Sequence, residues 1–364
     1  MSSPKKIRVV VLFGGQSGEH EVSVASGKSV IAALNSEKYD VLPIAITKQG
    51  AWLSGKKAKQ YLTLLTGAAT EGGITEVQTS SLVTTGDTTT ALEPLAEKLS
   101  EQHIDIVLPL IHGSFGEDGR LQGMLDMLGV PYVFSGMLAS ALAMDKPKAK
   151  LFAKQAGLQV LPEVVLTSSD VEVATIAAQV GLPAVVKPAE LGSSVGIRIV
   201  HDEKELATAI RNAFVYGKKV MVEQFKAGRE LTVGVFGNQP PRALAVIEII
   251  PQGSEFYDYT AKYAAGGSKH VCPAQIPAAI EQLVKQDAVK VFGALECCDL
   301  ARVDFIYNEK ENAVYFLEIN TIPGMTSTSL VPDEAREAGI DFTDFLNQLI
   351  QMALTRYSNA QKKA

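Results

Sequence analysis

The sequence predicts an α/β protein that opens with a doubly wound unit. A continuous apolar run from Ile7 to Phe13 is typical of a strand that is buried on both faces of a parallel sheet. A glycine-containing turn follows this run, and a helical pattern then extends from Val22 to Leu34. A strand, a glycine turn and a helix in this order indicate the start of a doubly wound fold, which binds ligands at the carboxyl ends of its strands.

Two further strands are predicted in this unit, from Val41 to Ile46 and from Ile104 to Leu110. The region between them, from about Lys56 to Glu93, is rich in Thr, Gly, Ser and Ala, and we expect an irregular surface insertion there. The glycines after the first strand do not follow the G-x-G-x-x-G pattern. This difference disfavours a dinucleotide site, and with it an oxidoreductase.

Glu21 and His112 are the candidate site residues of this first unit. His112 follows the third strand, at the edge where α/β proteins bind ligands, although a capping histidine is an equally simple interpretation. Glu21 stands at the start of the first helix, where a carboxylate is also favourable because of the helix dipole. The residues alone leave both alternatives open.

Composition limits the class of protein. The chain has 364 residues, of which 46% are apolar and 20% charged, and this length allows two or three domains. A net charge of -6 gives no general attraction to nucleic acid or to anionic membranes. No segment approaches the roughly 18 apolar residues of a membrane span. The first apolar run contains Arg8 and lacks a signal-peptide cleavage pattern, so we expect a cytoplasmic protein.

A Gly/Ser loop in the middle of the chain is a candidate phosphate site. Lys187 ends a predicted strand, and Ser193 and Ser194 lie in the glycine-flanked loop that follows. Such a loop can supply backbone N–H and hydroxyl donors to phosphates while the lysine supplies charge. It is not a Walker loop, and a plain glycine hairpin is the alternative.

Two acidic residues follow on the next predicted strands, 218–225 and 230–236, which we expect to pair with each other. Glu223 and Glu230 bracket the link between these strands. Carboxylates at a nucleotide site accept hydrogen bonds from an adenine amino group or a ribose hydroxyl, but the spacing fits two surface acids equally well. The aromatic and then glycine-rich tract from Glu255 to Gly267 suits a lid.

A predicted hairpin near the C-terminus carries the strongest site signal. Asp304 on its first strand can lie opposite Glu318 and Asn320 on its second, and the last two share a face because they are two residues apart. The strands are too apolar for an exposed hairpin. Oxygen-only ligands of this kind suit magnesium, so the hairpin predicts a magnesium site beside Arg302. We interpret two later helical patterns, from Ala278 to Leu295 and from Phe342 to Tyr357, as packing elements.

Six motifs, taken together and in order, resemble those of the ATP-grasp superfamily and, within it, of the D-alanine–D-alanine ligase family. They are G-G-x-S-x-E-H-E-V-S from Gly14, H-G-x-x-G-E-D-G-x-x-Q-G from His112, M-D-K from Met144, K-P with G-S-S-V-G from Lys187, Y-D-Y-x-A-K-Y from Tyr257, and E-x-N-T-x-P-G-M-T from Glu318. The long Thr/Ser-rich region between Gln49 and Leu99 departs from the shorter members of the family.

The resemblance implies an ATP-grasp fold of α/β and α+β domains, with an N-terminal α/β domain at residues 1–140 and two ATP-grasp parts at 141–222 and 223–364. ATP would lie between the last two. The implied reaction phosphorylates one D-alanine and joins it to a second. The resemblance further implies two Mg²⁺ or Mn²⁺ ions and a homodimer, with no nucleic acid or membrane partner.

The same resemblance assigns roles to individual residues. Nucleotide recognition is implied for the phosphate-binding Lys146, Lys187, Ser194 and Lys262, for Glu223 at the adenine and for Glu230 at the ribose. Metal binding is implied for Asp304, Glu318 and Asn320. Substrate binding and catalysis are implied for Glu21, His112, Ser193, Tyr263, Arg302, Gly324, Ser329 and Leu330.

Two alternatives remain within this resemblance. A D-alanine–D-lactate ligase of the same fold would be favoured by a phenylalanine in place of Tyr263, whereas tyrosine resembles the dipeptide-forming enzymes. A nucleotide-binding regulator without ligase activity would be expected to lack some of the phosphate lysines or metal ligands. All of them are present in this sequence.

Overall fold

Three β-sheets organise the computed structural model, which describes residues 5–67, 103–192, 196–252 and 267–362. The sheets follow the order of the three predicted domains, whose boundaries stay predictions. The first sheet has the strand order β3-β2-β1-β4, in which β1 runs parallel to β2 and β4. Its elements are β1 (Ile7–Gly14), α1 (His20–Ala33), β2 (Tyr39–Ile46), β3 (Trp52–Ser54), α2 (Lys56–Gly67) and β4 (Ile106–Pro109).

This sheet confirms the predicted opening of the chain as a strand, a glycine turn and a helix. The turn depends on glycine because Gly14 has a φ of 93° and a Cβ there would lie 2.1 Å from the carbonyl oxygen of Ile46. The turn therefore brings the start of α1 to the carboxyl edge of the sheet, beside the loop after β4.

The predicted irregular insertion is wrong for its first twelve residues, which form helix α2. Ala58, Tyr61, Leu62 and Leu65 recur at the spacing of one helix face, and they pack into the core of the first sheet. The rest of the predicted insertion, residues 68–93, lies outside the described residues.

The second sheet contains four antiparallel strands in the order β5-β8-β6-β7. Helices α6 and α7 cover one face and complete an apolar core with it. The elements are β5 (Glu163–Leu166), α6 (Val173–Val180), β6 (Ala184–Pro188), β7 (Arg198–Val200), α7 (Glu203–Ala213) and β8 (Val220–Gln224).

The third sheet is antiparallel with the order β11-β10-β9-β12-β13. Its strands are β9 (Arg229–Phe236), β10 (Arg242–Pro251), β11 (Ser268–Val271), β12 (Leu300–Asn308) and β13 (Ala313–Asn320). The predicted pairing of residues 218–225 with 230–236 is wrong. β8 already has β5 and β6 on its two sides, so the chain leaves that sheet at Phe225 and β9 pairs with β10 and β12.

Six more helices within the described ranges surround and connect these sheets: α3 (Arg120–Met127), α4 (Met137–Met144), α5 (Lys146–Gln155), α8 (Ala278–Ala294), α9 (Leu330–Glu337) and α10 (Phe342–Gln361). Both predicted packing helices are confirmed as α8 and α10. Phe345, Leu346 and Leu349 of α10 lie in the same core as Val9 and Val11 of β1. The end of the chain therefore packs on the first sheet.

Candidate active site

The hairpin of β12 and β13 places polar side chains on one face of the third sheet. Asp304 is the cross-strand partner of Glu318, and Arg302 is the partner of Asn320, so the predicted juxtaposition is confirmed. Residues two apart on a strand share a face, which brings all four side chains together. They lie in a largely apolar hairpin because the alternate residues Val303, Phe305 and Ile319 fill the core beneath.

Asp304 is buried and held from three directions. The guanidinium of Arg302 donates to both of its oxygens, at 2.9 and 2.7 Å. The hydroxyl of Thr232 donates to Oδ1 at 2.6 Å, and the amide of Asn320 donates to Oδ2 at 3.2 Å. The carboxylate is thus fixed in orientation at the floor of the site.

The three predicted metal ligands lie next to one another on this face of the hairpin. Glu318 lies 3.3 Å from the ammonium of Lys146, and it shares its face with Asn320 and Asp304. Within the described part of the chain, no group of three or more His, Cys, Asp and Glu side chains is placed to hold a metal ion. The set here has two carboxylates and one amide, an oxygen-donor set that fits a hard cation whose remaining ligands are water or phosphate.

A cavity of about 420 Å³ opens between the hairpin and the loops at the carboxyl edge of the first sheet. It brings together residues that are predicted from distant parts of the sequence. Those in its lining are Glu21, His112, Arg302, Glu318, Asn320, Gly324, Ser329 and Leu330.

His112 is buried beside this cavity and joins the two halves of its wall. Its Nδ1 donates to the carbonyl oxygen of Ile322 at 3.0 Å, since a carbonyl can only accept. Its Nε2 lies 3.4 Å from the hydroxyl of Ser26, and that hydroxyl accepts from the backbone N–H of Met325. Burial lowers the pKa of His112, so the imidazole is neutral at neutral pH.

Glu21 and Ser329 lie at different elements of the cavity wall. Glu21 is in the first turn of α1, is largely exposed, and forms an ion pair with Lys48. Ser329 precedes α9, and its hydroxyl accepts from the backbone N–H of Thr326 at 3.0 Å. Because α9 begins at Leu330, its N-terminus faces this part of the cavity and favours a carboxylate.

The predicted nucleotide-binding residues divide between the second and third sheets. Lys146, at the start of α5, donates to the carbonyl oxygen of Leu191 at 2.6 Å. Lys187 on β6 pairs with Glu223 on β8 at 2.8 Å, and both are buried. Glu230 lies on β9 of the third sheet, where its backbone pairs with Ile306. The structure therefore associates Lys187 with Glu223 but puts Glu230 on a separate sheet.

Four of the predicted site residues, Ser193, Ser194, Lys262 and Tyr263, lie outside the described residues, as does most of the predicted lid. Their roles stay predictions.

The cavity wall also contains residues for which the sequence predicts no role, among them Glu19, Glu117 and His270. Glu117 accepts from the backbone N–H of Gly113 at 2.7 Å. Burial, together with nearby Glu19, raises the pKa of Glu117 to about 8. Glu19 and Glu117 lie within the motifs that begin at Gly14 and His112, and this position could have identified them as site residues. His270 is in no such motif, and only the pairing of β11 with β10 brings it to the cavity.

Three sheets in this order, with lysines and carboxylates gathered between the second and third, define an enzyme of the ATP-grasp class. Family models described as the D-ala D-ala ligase N-terminus and C-terminus match residues 8–135 and 152–351. The chain belongs to the D-alanine–D-alanine ligase family.

Individual relatives agree along nearly the whole length. A D-alanine--D-alanine ligase of Chloroherpeton thalassium is 40% identical over 97% of this chain and 98% of its own. The crystal structure of the VanG D-Ala:D-Ser ligase from Enterococcus faecalis superposes with a TM-score of 0.79 at 32% identity, over 96% of this chain and all of that one. A Bacillus anthracis D-alanine--D-alanine ligase complexed with ATP gives a TM-score of 0.75 at 28% identity, over 97% and 99%.

Among the described residues, none of the helices has the length and apolar content needed to cross a membrane.

Proposed function

We propose that this protein uses ATP to join two D-alanine molecules into D-alanyl-D-alanine, with release of ADP and phosphate, for peptidoglycan precursor synthesis. The observation that carries this proposal is the cavity itself. It has a carboxylate in Glu21 that can bind an ammonium, and a cation in Arg302 and a helix N-terminus at Leu330 that can bind negatively charged oxygens.

The reaction begins with the carboxylate of the first D-alanine. One of its oxygens attacks the γ-phosphorus of ATP, the bond to the β,γ-bridging oxygen breaks, and ADP leaves. The amine of the second D-alanine then attacks the acyl phosphate carbon, loses a proton, and expels phosphate from a tetrahedral intermediate. Arg302 and the backbone N–H of Gly324 stabilise the oxyanion of that intermediate.

The two substrates occupy opposite parts of the cavity. Glu21 exchanges Lys48 for the ammonium of the first D-alanine, and His112 lies at the carboxylate end of that substrate. The hydroxyl of Ser329 and the N–H of Leu330 bind the carboxylate of the second. An L-isomer cannot satisfy the ammonium, carboxylate and methyl positions together.

Nucleotide binding is assigned to residues of the second and third sheets and of the lid. Lys146 and Lys187, with Ser194, bind the α- and β-phosphates, and Lys262 lies nearest the γ-phosphate. Glu223 accepts from the adenine amino group, while Glu230 accepts from the ribose.

Asp304, Glu318 and Asn320 would hold two Mg²⁺ or Mn²⁺ ions, which would neutralise the phosphate charge that the reaction brings together. The observation that supports this assignment is the oxygen-only donor set on one face of the hairpin, beside the cavity.

The lid from Tyr257 to Gly267 completes the proposed site. Ser193 links Glu21 to Tyr263 and so pins the lid over the substrates, which keeps water from the acyl phosphate. We further propose that the protein acts in the cytoplasm as a homodimer of three-domain subunits, without a nucleic acid or membrane partner.

One alternative is that D-serine takes the place of the second D-alanine. A specific observation favours it, because a structurally similar protein is a D-Ala:D-Ser ligase. Phosphate release from ATP and Mg²⁺ tests both possibilities. The assays contain D-alanine alone, L-alanine alone, or D-alanine with D-serine or D-lactate, and mass spectrometry identifies the products. Phosphate release that requires D-alanine and gives D-alanyl-D-alanine supports the proposal. A main product that joins D-alanine to D-serine or D-lactate would show that the second substrate is that acid and not D-alanine.

A further inference from the structure

A buried lysine outside the assigned site contacts the carboxylate that we assign to adenine. Lys150 lies on α5, one turn after Lys146, and its side chain is only 1% exposed. Its ammonium forms an ion pair with Oε1 of Glu223 and another with Oε2 of Glu163, the latter at 2.9 Å. The other oxygen of Glu223 accepts from Lys187. Lys150 and Lys187 thus hold Glu223 from two sides.

The sheet register explains why these groups meet. Glu163 of β5 is the cross-strand partner of Glu223, and Val185 of β6 is its partner on the other side. Lys187 is two residues after Val185, so its side chain shares the face of the two glutamates. α5 delivers Lys150 onto this face. Two cations and two anions therefore form one charge-balanced group, in which Lys150, Lys187 and Glu223 are buried and Glu163 is partly exposed.

We infer that Lys150 is a positioning residue that aims Glu223 at the nucleobase. The inference rests on the proposed function, because it takes Glu223 as the acceptor for the adenine amino group. A carboxylate has about four lone-pair sites, so Glu223 can bind both lysines and still accept from a base. Lys187 is also proposed to bind the nucleotide phosphates, whereas the side chain of Lys150 is buried within the protein. Lys150 is therefore the partner that keeps Glu223 in place when nucleotide binds.

Removal of Lys150 leaves two neighbouring carboxylates with one cation, Lys187. The buried Glu223 and the partly exposed Glu163 then repel each other, and one of them takes up a proton or turns away. Glu223 then loses its fixed direction and draws Lys187 towards itself. Adenine recognition and phosphate binding are expected to weaken together.

A comparison of ATP with inosine triphosphate isolates the effect on the base. Inosine triphosphate carries a carbonyl oxygen where ATP carries the amino group, so a fixed Glu223 repels it. We expect the wild-type protein to bind ATP at least about tenfold more tightly, as the loss of one hydrogen bond to a charged group predicts. A purely structural ion pair would change both affinities equally and leave this ratio unmoved.

The deciding variant is the double substitution Lys150→Met with Glu163→Gln, which keeps the charge of the buried group balanced. Calorimetry of the full chain with each nucleotide, without D-alanine, should show the affinity ratio falling to within about threefold of unity. Glu163→Gln alone keeps the contact between Lys150 and Glu223, and Lys154→Met removes an exposed lysine one turn further along α5. Both single variants should keep the wild-type ratio.

Three results would overturn the inference. They are an unchanged ratio in the double variant, a wild-type protein that does not distinguish the two nucleotides, and a charge-balanced variant that fails to fold, as judged by thermal melting. The phosphate-release assay with D-alanine is run separately on the wild type. Its failure would refute the proposed ligase function, while the binding ratios would still decide the role of Lys150.

Discussion

The guanidinium of Arg302 donates one hydrogen bond to each carboxylate oxygen of Asp304, at 2.9 and 2.7 Å. This contact fixes the plane of the guanidinium at the wall of the substrate cavity. A planar fork can hold a carboxylate with two of its N–H groups while others remain for a developing oxyanion. The structure thereby connects the proposed metal site with the proposed oxyanion hole.

Arg302→Lys is expected to lower kcat by about 100-fold or more, because a lysine cannot hold Asp304 and donate to the oxyanion in one rigid geometry. The KM for ATP should change much less than kcat. Steady-state kinetics of dipeptide formation check both quantities, with thermal melting as the control for folding. A kcat within threefold of the wild type would refute the assignment of Arg302 to the oxyanion hole.

Glu318→Gln is expected to leave the fold intact and to reduce turnover severely. The substitution keeps the shape of the side chain but removes the charge that a divalent cation needs. Raising the Mg²⁺ concentration should recover part of the activity, which distinguishes a lost metal ligand from a distorted site. Titration of activity against Mg²⁺ is the measurement, and wild-type-like activity at low Mg²⁺ would refute the metal assignment.

Lys48→Met tests the competition for Glu21. Both side chains of this ion pair are more than half exposed, so stability should be unaffected. The KM for the first D-alanine should fall by about two- to fivefold, because its ammonium no longer displaces Lys48. Initial rates at varied D-alanine provide the measurement, and Lys38→Met, at an exposed lysine before β2, is the control. A raised KM would instead make Lys48 part of the substrate site.

The hairpin shows what sequence can predict about this site. Alternation of apolar and polar residues predicts the two strands, and the two-residue spacing predicts the face that Glu318 shares with Asn320. The register counted from the turn would place Leu317 opposite Asp304, and a β-bulge beside Asp304 shifts it by one residue so that Glu318 lies there. The motifs likewise carry their own local geometry, such as the glycine turn at Gly14. These features depend on neighbours that are close in the sequence.

Contacts between distant segments could not be predicted in this way. Arg356 of α10 donates to Asp299, which is fully buried and also accepts from the backbone N–H of Phe134. The sequence around each of these three residues does not indicate that it contacts the other two. The wrong pairing of β8 with β9 has the same origin, because adjacency in sequence favours a hairpin and only the second sheet as a whole satisfies both edges of β8.

Glu334 supplies a prediction about pH. It is fully buried on α9, one of its oxygens accepts from the backbone N–H of Gly234, and its other oxygen has no hydrogen-bond partner among the described residues. Burial raises its pKa well above the ordinary value of 4.5. The folded protein therefore keeps this carboxyl protonated at pH values where the unfolded chain has released the proton.

Stability consequently falls as pH rises above 4.5, since the folded state binds more protons than the unfolded state until the folded pKa is reached. The contribution is lost at up to about 1.4 kcal/mol per pH unit within that window. Glu334→Gln cannot ionise, so the melting temperature of the wild type minus that of the variant should decrease steadily from pH 5 to pH 8. Melting curves at equal scan rate measure this difference, with Glu337→Gln, an exposed acid on the same helix, as the control. A difference that stays constant with pH would show that Glu334 is ionised in the folded protein, with a cation or water at its second oxygen.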